Sequence, residues 1–157
     1  MRPALTDFER VYRQSYGRFV RVASAITRKP DTAAEAVQEA FARTIQRRRQ
    51  FRGDASLEVW IWRAVVNEAK RIASRPLLAP SHAGSTESNG LPPEAASVRA
   101  LIATLPERQR LAVFLRYYAD LDYRTIGDVL EIETGTVSAT LAAAHQALRN
   151  AMEGVRS

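Results

Sequence analysis

Cysteine is absent from this 157-residue chain. That excludes a disulfide or a thiolate metal site, and a reducing compartment, the cytoplasm, is the expected setting. Long apolar runs are missing too: no stretch approaches the ~20 residues a helix needs to cross a bilayer. The opening segment, MRPALTDFERVY, turns charged too early for a secretory signal, so no membrane role is expected. There is no Gly-rich phosphate loop, no nucleophile elbow and no carboxylate pair in a catalytic context. The two histidines, His82 and His145, have no Cys or acid at ligand spacing. No enzyme, metal, cofactor or small-molecule substrate is therefore expected. Lysine is nearly missing, with Lys29 and Lys70 alone, so arginine carries the positive charge.

That charge is uneven. The net charge is +6, yet residues 1–75 hold 16 cationic side chains against 8 acidic, and residues 94–157 hold 7 against 8. Long-range attraction to a polyanion therefore belongs to the N-terminal half.

Phe8, Val11, Tyr12, Phe19, Val22 and Ile26 recur at helical spacing, which predicts a helix over about 5–28, stopped by Pro30. Thr32 and Glu35 match a capping box for a second helix whose inner face is Val37, Ala40, Phe41, Thr44 and Ile45. Arg47 to Asp54 reads as a basic loop. Ser56 then caps a third helix with Leu57, Ile61, Ala64, Val65 and Ile72 facing inward. From Pro76 to Pro93 the period collapses into PLLAPSHAGSTESNGLPP, a flexible linker by composition. The expected architecture is all-α: two small helical domains, 1–75 and 94–157, joined by the linker 76–93. Each half is small for an independent core.

The second half carries the clearest spacing. After a short helix near 94–103, Leu105 to Arg149 reads as helix, turn, short helix, turn, longer helix, the layout of a helix-turn-helix. Thr104 with Glu107 matches a capping box around Pro106, and Leu111, Phe114, Leu115 and Tyr118 form a buried stripe. Asp122 can cap the short helix 123–130. Thr134 can cap the last helix, with Val137, Leu141, Ala144 and Leu148 inward.

In this order the two halves resemble the sigma-70 family, in its compact extracytoplasmic-function (ECF) group. FERVYRQSYGRFVRVA, AAEAVQEAFART and FRGDASLEVWIWRAVVNEAKR resemble sigma region 2 over about 8–75. LPERQR, LRYY, DYRTIG and GTVSATL resemble region 4 over about 98–152. The resemblance implies a non-catalytic subunit that binds core RNA polymerase, recognises the −10 and −35 promoter elements and helps open the duplex. It also implies a further class of partner, an anti-sigma factor.

The same resemblance assigns roles. EAVQEAF matches the core-binding motif, so Glu35, Gln38 and Glu39 would meet a coiled coil of the largest polymerase subunit around an apolar contact at Phe41. The bland reading leaves Glu35 in its capping box and Glu39 in solvent. The −10 non-template strand would be read by Arg47, Arg48, Arg49, Arg52, Trp60, Arg63, Asn67, Lys70 and Arg71. Arginines pair with phosphates, aromatic faces stack on unpaired bases, and Asn67 supplies both a donor and an acceptor. Against this, Trp60 and Trp62 also suit packing, Trp60 especially. The −35 element would meet Arg124, Thr134, Thr136, Ser138, Thr140 and His145.

The chain departs from the family's pattern in three places. Glu35 replaces the usual Asp, Glu131 replaces a usual Gly, and the last helix has Ser138, Thr140, Ala143 and His145 where the family commonly carries Lys or Arg. Few cations beside Asp128, Glu131 and Glu133 predict weak −35 binding. Two alternatives stay open: a free-standing helix-turn-helix regulator, and a sigma-like protein-interaction module.

Overall fold

The computed structural model describes residues 2–76 and 93–156. The flexible linker expected over 76–93 lies, apart from its two ends, outside the described residues, as does His82. Every regular element among the described residues is a helix, and none is long and apolar enough to cross a membrane. The chain forms two compact units.

Three α-helices build the first unit: α1 (Leu5–Thr27), α2 (Pro30–Gln46) and α3 (Leu57–Ala73), each packed on the other two. Asp7 accepts a hydrogen bond from the Ala4 N–H at 2.9 Å, which fastens the start of α1 and holds its carboxyl below the usual range. Arg28 ends α1 in the left-handed region (φ 67°), its N–H donating to the Ser24 carbonyl.

Pro30 does not merely stop α1, as its position suggested. It opens α2 from the first turn, where its missing N–H costs nothing. The capping box expected at Thr32 and Glu35 therefore does not form: Lys29 is the N-cap, and the Thr32 hydroxyl donates to the Lys29 carbonyl instead. Ser56 does cap α3, accepting from the Val59 N–H at 3.1 Å.

Phe8, Phe19, Val22, Val37, Ile61, Trp62 and Val65 fill the core. The Trp62 ring lies 4.4 Å from that of Phe19. One buried hydroxyl, Ser15, is satisfied on both sides: it donates to Glu58 at 3.0 Å and accepts from Arg18 at 2.8 Å.

The second unit comprises α4 (Pro93–Ala103), α5 (Glu107–Tyr117), α6 (Tyr123–Leu130) and α7 (Thr134–Arg156), with α4 and α5 both packing on α7. Leu111, Phe114, Leu115, Ile126, Val137, Leu141 and Ala144 are its core. The Thr104/Glu107 box is again absent. Pro106 is the N-cap of α5, and the Thr104 hydroxyl donates backwards to the Leu101 carbonyl at 2.6 Å. Asp122 caps α6 as expected, accepting from the Thr125 N–H at 2.8 Å, and that bond lowers its carboxyl pKa. Thr134 is the first residue of α7 rather than its cap, because the Glu133 carbonyl already accepts from Val137.

The turn into α7 is tight. A Cβ at Gly127 would lie 2.7 Å from the Ile132 carbonyl oxygen, closer than any backbone tolerates, and the Ile132 N–H donates to the Gly127 carbonyl at 2.9 Å. Glycine is required there by proximity.

Candidate nucleic-acid interface

In the first unit, positive charge gathers where α2 ends. A 3-10 turn (Arg48–Gln50) follows α2, and Arg48 donates back to the Ile45 carbonyl at 3.0 Å, a cation against the negative end of the helix. Gly53, at φ 83°, lets the loop double back to Ser56. Arg47, Arg49 and Arg52 are exposed and have no ion-pair partner among the described residues.

Beside this loop a groove of about 340 Å³ runs between α2 and α3, bordered by Arg43, Arg47, Trp60, Arg63, Asn67 and Glu68. A second hollow of about 220 Å³ lies under the loop and shares Trp60 and Arg63 with the first. Trp60 is half-buried, its ring 5.4 Å from Phe51, so it packs the loop and still faces both hollows. Trp62, two residues on and thus on another face of the helix, is fully buried and presents nothing to a ligand. Asn67 is exposed at the groove wall.

The arginine cluster is not free of acids, contrary to its appearance in sequence. Glu68 is buried, 4% exposed, and is gripped by two guanidiniums. Arg71 donates to its Oε2 from Nε at 3.1 Å and from a terminal nitrogen at 2.8 Å. Arg43 Nε stands 3.2 Å from its Oε1 and equally 3.2 Å from a Glu39 oxygen. The bonds to Glu68 raise the Arg71 pKa further, so its charge is fixed but partly spent inside the protein. Sequence reasoning did not single out Glu68: Arg71 stands three residues on in the same helix, but Arg43 reaches it from α2, which nothing local marks.

On the outer side of α2, Glu35 pairs with Arg75 at 2.7 Å, Gln38 is exposed and Glu39 pairs with Arg43. Phe41 differs from expectation. It is 6% exposed, edge-on to Tyr12 at 5.1 Å and to Phe19 at 5.7 Å. It holds α2 against α1 instead of standing out as an apolar anchor, and the exposed ring beside it is Tyr12.

In the second unit, Arg124, Thr134 and Ser138 are exposed, while Thr136 and Thr140 are half-buried. The outer surface of α7 continues with Gly135, Ala139, Ala142 and Ala143, and its first cation beyond His145 is Arg149. His145 is itself engaged: its Nε2 lies 2.8 Å from the Tyr117 hydroxyl. Asp128, Glu131 and Glu133 are all exposed. Glu131 sits at φ 60°, in the left-handed region that a side chain with a Cβ resists. Glu131→Gly is therefore expected to stabilise the second unit by up to about 1 kcal/mol, read as a rise in its thermal unfolding midpoint. A fall in the midpoint would mean that the glutamate makes a compensating contact.

The sequence of the first unit, residues 11–75, matches the family model for sigma-70 region 2, and residues 95–148 match that for sigma-70 region 4. Together they span about three quarters of the chain. The ECF RNA polymerase sigma-E factor of Escherichia coli K12 is 28% identical over 155 residues, covering 85% of this chain and 81% of the relative. The RNA polymerase sigma-H factor of Pseudomonas aeruginosa is 28% identical over 141 residues, covering 77% and 73%. Among solved structures, CnrH in complex with the cytosolic domain of CnrY aligns with a TM-score of 0.74 at 14% identity, over 96% of this chain and 90% of that one. RpoE in complex with the anti-sigma factor NepR from Bartonella quintana aligns at 0.66 with 17% identity, over 95% and 98%. At those identities the structural likeness is one of fold.

Proposed function

The chain belongs to the ECF group of the sigma-70 family, and on that premise we propose how its residues divide the work of a sigma factor. It is a promoter-specificity subunit: it joins core RNA polymerase, directs it to promoters and assists their opening. The chemistry of RNA synthesis stays with the polymerase, and the working compartment is the cytoplasm, where polymerase and chromosome meet.

Residues 1–75 act as the polymerase-docking and −10 domain, and 94–157 as the −35 domain. Glu35, Gln38 and Glu39 on α2 meet the polymerase. The uncommitted cations Arg47, Arg49 and Arg52 draw in the phosphate backbone, with Arg48, Arg63, Lys70 and Arg71 adding to the field. Trp60 and Asn67 border the groove that receives an unpaired base, Trp60 offering a stacking face and Asn67 a donor and an acceptor. Binding the single strand and not the duplex pulls the equilibrium toward the open promoter. In the second domain Arg124, Thr134, Thr136, Ser138 and Thr140 face the −35 duplex, and few cations stand among acids, so this contact is weak and sensitive to groove shape. The half-buried His145 contributes together with Tyr117, whose hydroxyl lies 2.8 Å from its Nε2. An anti-sigma factor is the second class of protein partner.

The observation that carries this reading is the pairing, in this order on one chain, of a region 2 unit holding the cationic excess with a region 4 helix-turn-helix. The test is co-elution with bacterial core RNA polymerase in size exclusion at moderate salt. Stoichiometric binding is expected, with at least a tenfold loss for Glu35→Lys, which sets two cations against each other at Arg75. Folded protein that never co-elutes, beside a second sigma factor that does, would turn the reading toward a free DNA-binding regulator.

A further inference from the structure

We propose that Glu68 is a specificity-determining residue of the α2–α3 groove, and that its Oε1 accepts a hydrogen bond from the exocyclic amine of the unpaired base held there, selecting cytosine, adenine or guanine over thymine, the one base without such an amine. The inference rests on the function proposed above for the groove.

A carboxylate is a poor neighbour for DNA unless its charge is cancelled. Here it is cancelled twice, by Arg71 on Oε2 and by Arg43 on Oε1. The two oxygens of a carboxylate offer about four acceptor positions. Arg71 takes two on Oε2. Arg43 Nε forms an ion pair with Oε1 at 3.2 Å while it donates its hydrogen to Glu39. Oε1 thus keeps acceptor capacity, on a side chain that borders the groove beside Asn67.

The groove, at about 340 Å³, falls in the range of small-ligand pockets, about 300–1,000 Å³. Trp60 offers a ring face and Arg47 a phosphate partner on its rim. An acceptor fixed in such a site favours a base that brings an exocyclic donor: N4 of cytosine, N6 of adenine or N2 of guanine. Thymine has no such amine, and its one ring donor, N3–H, lies between two carbonyl oxygens that a carboxylate repels. The buried double ion pair also makes the acceptor rigid, so discrimination is not lost to side-chain rotation.

Glu68 could instead serve only to tie α2 to α3. The two roles separate on chemically altered DNA. The experiment uses the full chain assembled with core polymerase and a 12-nucleotide single-stranded library, sequenced after capture. The best binder is then resynthesised with single changes and followed by fluorescence anisotropy. Wild type is expected to reject thymine at one position. Deleting only the amine of the preferred base there, with pyrimidin-2-one for cytosine, unsubstituted purine for adenine or hypoxanthine for guanine, should weaken binding about tenfold.

In Glu68→Gln Arg71 claims the amide oxygen with its two hydrogen bonds, and the NH2 takes the place of Oε1. Discrimination against thymine should then be lost, because its O4 now meets a donor. Indifference of the wild type to amine deletion at every position overturns the proposal, and needs no variant. So does a Glu68→Gln protein that loses affinity equally for all four bases. An assembly that binds the strand no better than core polymerase alone sinks the sigma reading itself.

Discussion

Trp62→Ala is expected to destabilise the first unit by about 3–5 kcal/mol, the usual cost of emptying an aromatic site in a core. The side chain is fully buried, and its ring lies 4.4 Å from Phe19, which also stacks edge-on to Phe41. One substitution thus opens a void where α1, α2 and α3 all meet. Its indole N–H is buried with no hydrogen-bond partner among the described residues, so truncation also removes an unsatisfied donor and brings the cost toward the lower end of that range. For a unit of this size each kcal/mol shifts the midpoint by about 4–8 °C, so the loss should be roughly 12 °C or more. The contrast is Trp60→Ala. That ring is half-buried and touches Phe51 alone among the aromatic residues, so its removal should lower the midpoint by only a few degrees while weakening single-stranded DNA binding. Circular dichroism during thermal unfolding reads both variants. Equal drops would mean that Trp60 too is a core residue.

That pair of tryptophans marks how far the sequence could be read. The helical period of α1 was legible because a single face repeats from Phe8 to Val22. The caps at Ser56 and Asp122 were legible because a cap and the amide it accepts lie three residues apart. The two capping boxes that failed share a cause. Each lies beside a proline, and proline either starts a helix in its own right, as at Pro30, or fixes the residue before it, as at Pro106. Around α3 the single-face reading broke down because α3 packs on both α1 and α2 and buries more than one stripe, Val59, Trp62, Val66 and Glu68 included. The expected binding residues Phe41 and His145 were spoken for by partners 22 and more positions away in sequence, Phe19 and Tyr117. Helical spacing marks the Arg43–Glu39 and Arg71–Glu68 pairs, but Glu35–Arg75 and Arg43–Glu68 are long-range and no local pattern could announce them.

That sorting of the arginines sets the second large effect. Arg47, Arg49 and Arg52 lack ion-pair partners among the described residues, whereas Arg71, Arg75 and Arg43 each hold an acid. Charge already matched inside the protein releases few counterions on meeting DNA; unmatched charge releases nearly its full share. Replacing Arg47, Arg49 and Arg52 together by glutamine should therefore flatten the salt dependence of DNA binding by about 2–3 in log–log slope, at roughly 0.7–0.9 for each phosphate contact. Extrapolated from a 1 M reference, the same slope implies roughly a hundred- to thousandfold weaker binding at 0.1 M salt and nearly none of that loss at 1 M. Stability should hardly change, since the three side chains are exposed, and co-elution with core polymerase should persist, since α2's acidic face is untouched. The matched control replaces Arg71 and Arg75 by glutamine. It removes two formal charges against three, yet should move the slope by far less than two thirds as much, because Glu68 and Glu35 held those charges already. A control that flattens the slope as much as the triple variant, charge for charge, would show that net charge alone governs DNA attraction and that ion pairing within the protein is irrelevant to it.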